Sequence, residues 1–138
     1  MRTFYIFQIN DEFTTLTKEQ PYNLYKTMEE IYFLQEKDPH IAYDMFEKIV
    51  NPFNKKEINL KIFDIYRHNE NYTKFNNIHM LNNYYTDEQS KLIIKNSHLL
   101  LNSSSTTPSF LKELRFLNNL FICDFKNKDY FWLDQLIV

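Results

Sequence analysis

Not one glycine occurs in the 138 residues of this chain. Glycine enters the left-handed backbone region without steric penalty and lets a main chain approach a ligand closely. A Walker loop, a dinucleotide-binding fingerprint and a GxSxG nucleophile elbow all depend on it, so none of them is present in standard form. Tight turns have to be closed by other residues. Asparagine, which tolerates positive φ, is the expected substitute at most of them.

The first ordered element is predicted over TFYIFQI, residues 3–9. Phe4 and Ile6 fall on one side of an extended chain and Tyr5, Phe7 and Ile9 on the other, so both faces are apolar, as in a strand buried inside its sheet. Helical signals follow. Asn10 or Asp11 caps a helix of about two turns that carries Phe13 and Leu16. Pro21 opens a second helix with the stripe Leu24, Tyr25, Met28, Ile31 and Tyr32. Asp38-Pro39 opens a third with the stripe Ile41, Ala42, Met45, Phe46, Ile49 and Val50, ended by Asn51-Pro52. Asn54 with Glu57 resembles a capping box before Ile58, Ile62, Ile65 and Tyr66. The polar stretch His68–Asn77 reads as a loop.

The second half changes period. Ile78–Tyr85 reads as a strand. Lys91–Lys95 and His98–Asn102 read as a hairpin about Asn96-Ser97. Thr107-Pro108 caps a helix carrying Phe110, Leu111, Leu114 and Leu117, and FICDFKNKDYFWL, Phe121–Leu133, reads as a closing hairpin. Helices early, strands late and local connections predict an α+β fold: a mostly antiparallel sheet of about five strands, the N-terminal strand central, packed with about five helices. Neither an internal repeat nor a second domain is visible, so residues 1–138 are expected to form a single domain.

Charge and cysteine usage narrow the function classes. The formal net charge is −2, which offers no basic stripe for a phosphate backbone. Single cysteine usage excludes an internal disulfide and a multi-cysteine zinc cluster. MRTFYIF lacks the features of a signal peptide, and no apolar run approaches the roughly 20 residues that span a bilayer. A cytoplasmic protein with no membrane attachment is expected. Aromatic content reaches 17%, with 13 Phe and 10 Tyr; Asn, Lys, Ile, Tyr and Phe are all favoured by AT-rich codons, and genome bias is the simpler account of the Asn and Lys content.

Three sets of residues invite chemistry. Cys123 alternates with Phe121 and Phe125 and has no histidine in its hairpin, the pattern of an inert thiol in an apolar layer rather than a nucleophile. Asp124 and Asp129 form a weak candidate pair for acid–base work; Asp129 suits a turn, and Asp124 is expected to meet Lys126 and Lys128. The histidines His40, His68, His79 and His98 show no metal-ligand spacing. In NYTKFNN and NNYYTDEQSKL, aromatics lie beside lysines, as in single-stranded nucleic-acid modules; burial in the core explains them more simply. Phe13 has two open readings: a plug at the end of the sheet, or an exposed anchor for a protein partner.

FICDFKNKDYFWLDQ resembles the C-terminal hairpin of the SirA family, the sporulation inhibitors of replication of Bacillota: an apolar strand, Asp-Phe, an Asn-containing turn, then Tyr-x-Trp-Leu. Asp124, Phe125, Asn127, Tyr130, Trp132 and Leu133 carry the match. The N-terminus is similar too, with an aromatic strand running into a helix that opens on Glu12-Phe13, and Asn51-Pro52 sits where the family has an amide before proline. The resemblance implies a non-enzymatic inhibitor of replication initiation that needs no cofactor or metal. It would bind the N-terminal domain of the initiator DnaA as a monomer, without touching nucleic acid. The implied binding face combines the first helix (Phe13, Leu16, Thr17) with the helix before the proline (Asp44, Met45, Lys48). Phe13 matches the family's key aromatic. Thr17 stands where a tyrosine is expected, and Met45 and Lys48 stand where the family's founding members carry Gln and Tyr. Other readings left open are a single-stranded nucleic-acid module and an interaction domain for a different partner.

Overall fold

The computed structural model describes residues 1–136. The chain opens with β1 (Arg2–Ile9), then α1 (Asp11–Thr17), α2 (Pro21–Lys37), α3 (Pro39–Ile49), β2 (Val50–Asn51) and α4 (Lys55–Tyr66). Three further strands β3 (Tyr72–Phe75), β4 (Ile78–Asn83) and β5 (Glu88–Ile94) lead to β6 (Leu99–Ser103), α5 (Ser109–Glu113), β7 (Leu120–Asp124) and β8 (Asp129–Trp132). The class is α+β. One antiparallel sheet runs in the order β3-β4-β5-β6-β1-β7-β8, with β2 paired to the end of β1. Among the described residues it has eight strands where about five were expected; the five α-helices there match the expected number.

β1 is interior, flanked by β6 and β7, and its two-sided pattern explains why. Phe4 and Ile6 enter one apolar cluster with α4 and α5, whereas Phe7 and Ile9 enter a second cluster with α2 and α3. The sheet is therefore a middle layer with a core on each side. The first cluster draws on β1, β4, β5, β6 and β7. The second draws its sheet residues from β1, β2, β7, β8 and the β7–β8 turn. On that side β3–β6 have no buried partner layer: Ile78, Ile93 and Leu100, paired in register across β4, β5 and β6, are only half-buried.

Among the described residues, four non-glycine residues hold positive φ: Asn76, Asp87, Asn119 and Lys128. Asparagine supplies two of these positions rather than most. Asn96 and Ser97 are not among them; the turn closes instead through a bond from the Lys95 amide to the His98 carbonyl.

Several local expectations are corrected. β3 lies inside the stretch read as loop. Its apolar signal is only Tyr72 and Phe75, because it is an edge strand with one neighbour. Ile41 and Ile65, counted on apolar stripes, are exposed, because both lie on the outer rims of their helices. Thr107 does not cap α5. Glu88, buried on β5, accepts from the Ser109 amide at 3.0 Å and from its hydroxyl at 2.7 Å, so a sheet carboxylate satisfies the helix start.

Candidate partner-binding face

The opening of α1 is set by one side chain. Asn10 Oδ1 accepts from the Phe13 amide at 2.9 Å, the N-cap bond that satisfies an orphan donor of the first turn. The same side chain donates through Nδ2 to the Lys48 carbonyl at 2.7 Å, and the Asn10 amide donates to the Ile49 carbonyl at 2.9 Å. Asn10 thus fastens the N-terminus of α1 to the C-terminus of α3. Other ties hold the short helix against the sheet. Asn119 donates to Asp11 at 2.9 Å. Lys18 pairs with Asp134 at 2.6 Å while its ammonium lies 4.5 Å from the Trp132 ring centroid. A helix of seven residues is marginal alone in water; these tertiary ties account for its order.

The fold joins the two helices that carry the candidate residues. Phe13 is half-buried and packs on the second apolar cluster, so it is neither a sealed plug nor a free ring. Leu16, one turn further, leaves 65% of its surface in solvent. Thr17 is half-buried and its hydroxyl donates back to the Phe13 carbonyl, which occupies the donor within the helix. On α3, Asp44 and Lys48 are exposed one turn apart, and Met45 is half-buried against the same cluster as Phe13. The resulting surface has an apolar centre at Leu16 and the outer edge of Phe13. The two helices also expose Asp11, Glu12, Asp44, Glu47 and Lys48, so a mostly basic partner surface would complement them. Asn10, read from sequence only as one of two possible caps, is the residue that assembles this face.

The residues with reactive groups are committed elsewhere. Cys123 is fully buried, and burial followed by the Glu29 charge pushes its thiol well above the ordinary range. The two aspartates are bridged by Arg2, at 2.9 Å to Asp124 and 2.8 Å to Asp129, rather than by the turn lysines. Burial disfavours the Asp124 charge, but hydrogen bonds from Asn127 and Arg2 outweigh it and hold the carboxyl below its usual range. Asn127 contributes both its amide and its side chain. His79 is buried with one ring nitrogen on Tyr72 and the other on Asn59, each at 2.7 Å. Among the described residues, no three His, Cys, Asp or Glu side chains gather to hold a metal ion, and no helix is long and apolar enough to cross a membrane.

Of the aromatics beside lysines, Phe75, Tyr84 and Tyr85 are not core residues, contrary to expectation. Phe75 is 72% exposed at the end of β3, beside the β3–β4 turn, and Tyr84 and Tyr85 stand almost wholly in solvent in the β4–β5 turn. These turns lie at opposite ends of β4, six residues or about 20 Å apart. The rings are too far apart to form one stacking platform, although Tyr72 does lean on the first core cluster.

A family model described as sporulation inhibitor of replication protein SirA matches residues 2–136. No curated protein matches the chain.

Proposed function

Because the chain belongs to the SirA family of sporulation inhibitors of replication, we propose that it is a non-enzymatic protein ligand of the initiator DnaA. In this reading residues 1–138 act as one unit in the cytoplasm. The α1–α3 face docks on the N-terminal domain of DnaA and covers a surface that self-association or other replication proteins require. The mechanism is steric and calls for no cofactor, nucleic acid or membrane. The chain docks as a monomer.

The observation that carries the proposal is the exposed Leu16 beside half-buried Phe13 on a short helix locked to α3. Preorganisation of this kind lowers the ordering cost of binding. Phe13 and Leu16 form the apolar centre, and Asp44 and Lys48 the charged rim. Met45 and Phe13 pack on the same apolar cluster. Thr17, with its hydroxyl engaged, contributes shape rather than a hydrogen bond. A smaller residue at position 17 than the family's tyrosine leaves a shallower contact, which a bulkier partner surface would fill.

The test is a binding assay between the chain and the N-terminal domain of the host's DnaA, wild type against Phe13→Ala. Loss of binding in the variant supports the face. Equal binding by the variant removes Phe13 from the interface, and no binding by the wild type removes DnaA as the partner.

A further inference from the structure

Away from the α1–α3 face, a cleft of about 390 Å³ opens between the sheet and helices α2 and α3. Its floor is Tyr5 and Phe7 of β1, and its walls include Tyr32, Phe46 and His98. The volume lies within the range of small-molecule pockets, about 300–1,000 Å³. The rings stand at interaction distance from one another. Tyr5 and Tyr32 meet edge-on at 5.4 Å, Phe7 and Phe46 edge-on at 5.8 Å, and His98 lies 5.7 Å from Tyr5 and 6.0 Å from Phe7. One more flat ring inside this box would gain the offset and edge contacts that aromatic groups prefer.

The polar lining sets the rest of the chemistry. Among the described residues, no Asp, Glu, Lys or Arg lines the cleft. A carboxylate, phosphate or ammonium entering it would lose water without gaining a counter-charge. Among the polar lining groups, the His98 ring packs against both floor rings, Tyr5 and Phe7. Its Nδ1 is engaged by Ser97 Oγ at 2.8 Å, which leaves Nε2 as the ring's remaining hydrogen-bonding atom. Burial, and then the charge of Lys95, hold this imidazole in its neutral form down to about pH 4, so the ring presents a dipole and not a charge.

We propose that His98 carries its proton on Nδ1, donating to Ser97 Oγ, and that this cleft is a binding site for a small, uncharged, planar aromatic molecule carrying one N–H or O–H group that donates to Nε2. The cleft is distinct from the α1–α3 face, and the proposal stands whether or not that face binds DnaA.

Indole is the direct probe, read by methyl NMR on the intact chain at Met28, Ile31 and Ala42, which also line the cleft. Saturable shifts of these methyls on indole addition are expected. Tryptamine and indole-3-acetate, which add a single charge of either sign, should bind at least tenfold more weakly. N-methylindole lacks the donor and should bind wild type about fivefold more weakly, the value of one neutral hydrogen bond. It should bind His98→Phe no more weakly than indole does. Absent or non-saturating shifts overturn the proposal, as does equal binding of the charged analogues. Equal binding of indole and N-methylindole by wild type overturns the role of His98, and that result does not depend on how the variant folds.

Discussion

Replacing Leu16 by serine should abolish much of the partner affinity while leaving the fold intact, and this pairing of outcomes is what makes it a sharper test than Phe13. Fully burying a leucine contributes ~1.5–3 kcal/mol. Leu16 leaves 65% of its surface in solvent in the free chain, so covering it in a complex is worth roughly 1–2 kcal/mol, a five- to thirtyfold change in Kd. Exposed substitutions outside caps and cores usually shift stability by no more than about 0.5 kcal/mol. Phe13 behaves differently because its ring already packs on the second apolar cluster. A fully buried Phe→Ala change removes ~3–5 kcal/mol; a half-buried ring should lose about half of that. Loss of binding by Phe13→Ala therefore mixes interface and folding. The assay is calorimetric titration of each variant with the N-terminal domain of DnaA, beside urea melts of the variants alone. If folded Leu16→Ser binds within twofold of wild type, the exposed centre of the α1–α3 face is not an interface. If instead its urea midpoint falls as far as that of Phe13→Ala, the helix is stabilised by Leu16 in a way its exposure does not suggest, and the reasoning fails.

Three further outcomes follow from the geometry. Lys128 sits at φ 55°, where a side chain costs ~1–2 kcal/mol; Lys128→Gly should raise stability by about 0.5–1 kcal/mol in urea melts, whereas Lys126→Gly, in the same turn without positive φ, should lower it. Burial, and then the charge of Lys74, hold the folded pKa of His79 down at about 4, below its ordinary value, so the unfolded chain takes up a proton first as the pH falls. The His79 contribution is fully present above about pH 6.5 and is lost as the pH falls toward 4, ~3 kcal/mol at most. Urea melts at pH 7 and pH 4.5 should show this loss in wild type and a smaller one in His79→Gln. Cys123 should resist iodoacetamide at pH 8 in the native chain and react at once in urea, as mass spectrometry would show; rapid native labelling would contradict its burial.

Much of the architecture is legible in the residues because it rests on short-range rules. Two-sided apolarity in β1 places it inside the sheet, and Asp38-Pro39 and Asn54 start helices at the positions observed. The alternation of Phe121 with Cys123 against Leu120 with Ile122 sorts them into opposite cores. The candidate face is legible in part. Phe13 and Leu16 fall on one short helix and Asp44, Met45 and Lys48 on another by spacing alone. Their convergence rests on the Asn10 bonds to Lys48 and Ile49, residues 38 and 39 positions away, and no local pattern encodes such a contact.

The sequence by itself determined the helices, the N-terminal strand and the closing hairpin, and which standard glycine-dependent loops are out of reach; it did not reveal the edge strand β3. These follow from backbone sterics and from the period of apolar side chains, both of which act over a few residues. Only the tertiary structure decided which aromatics stay outside: whether a ring is buried depends on the layer packed above it, and α2 and α3 cover the β1–β7–β8 part of their side of the sheet and leave β3–β6 open. It also decided that Arg2, from the opposite end of the chain, would neutralise Asp124 in place of the neighbouring lysines. Side chains brought together by folding across more than 120 residues interact through space, and a linear pattern carries no measure of that distance.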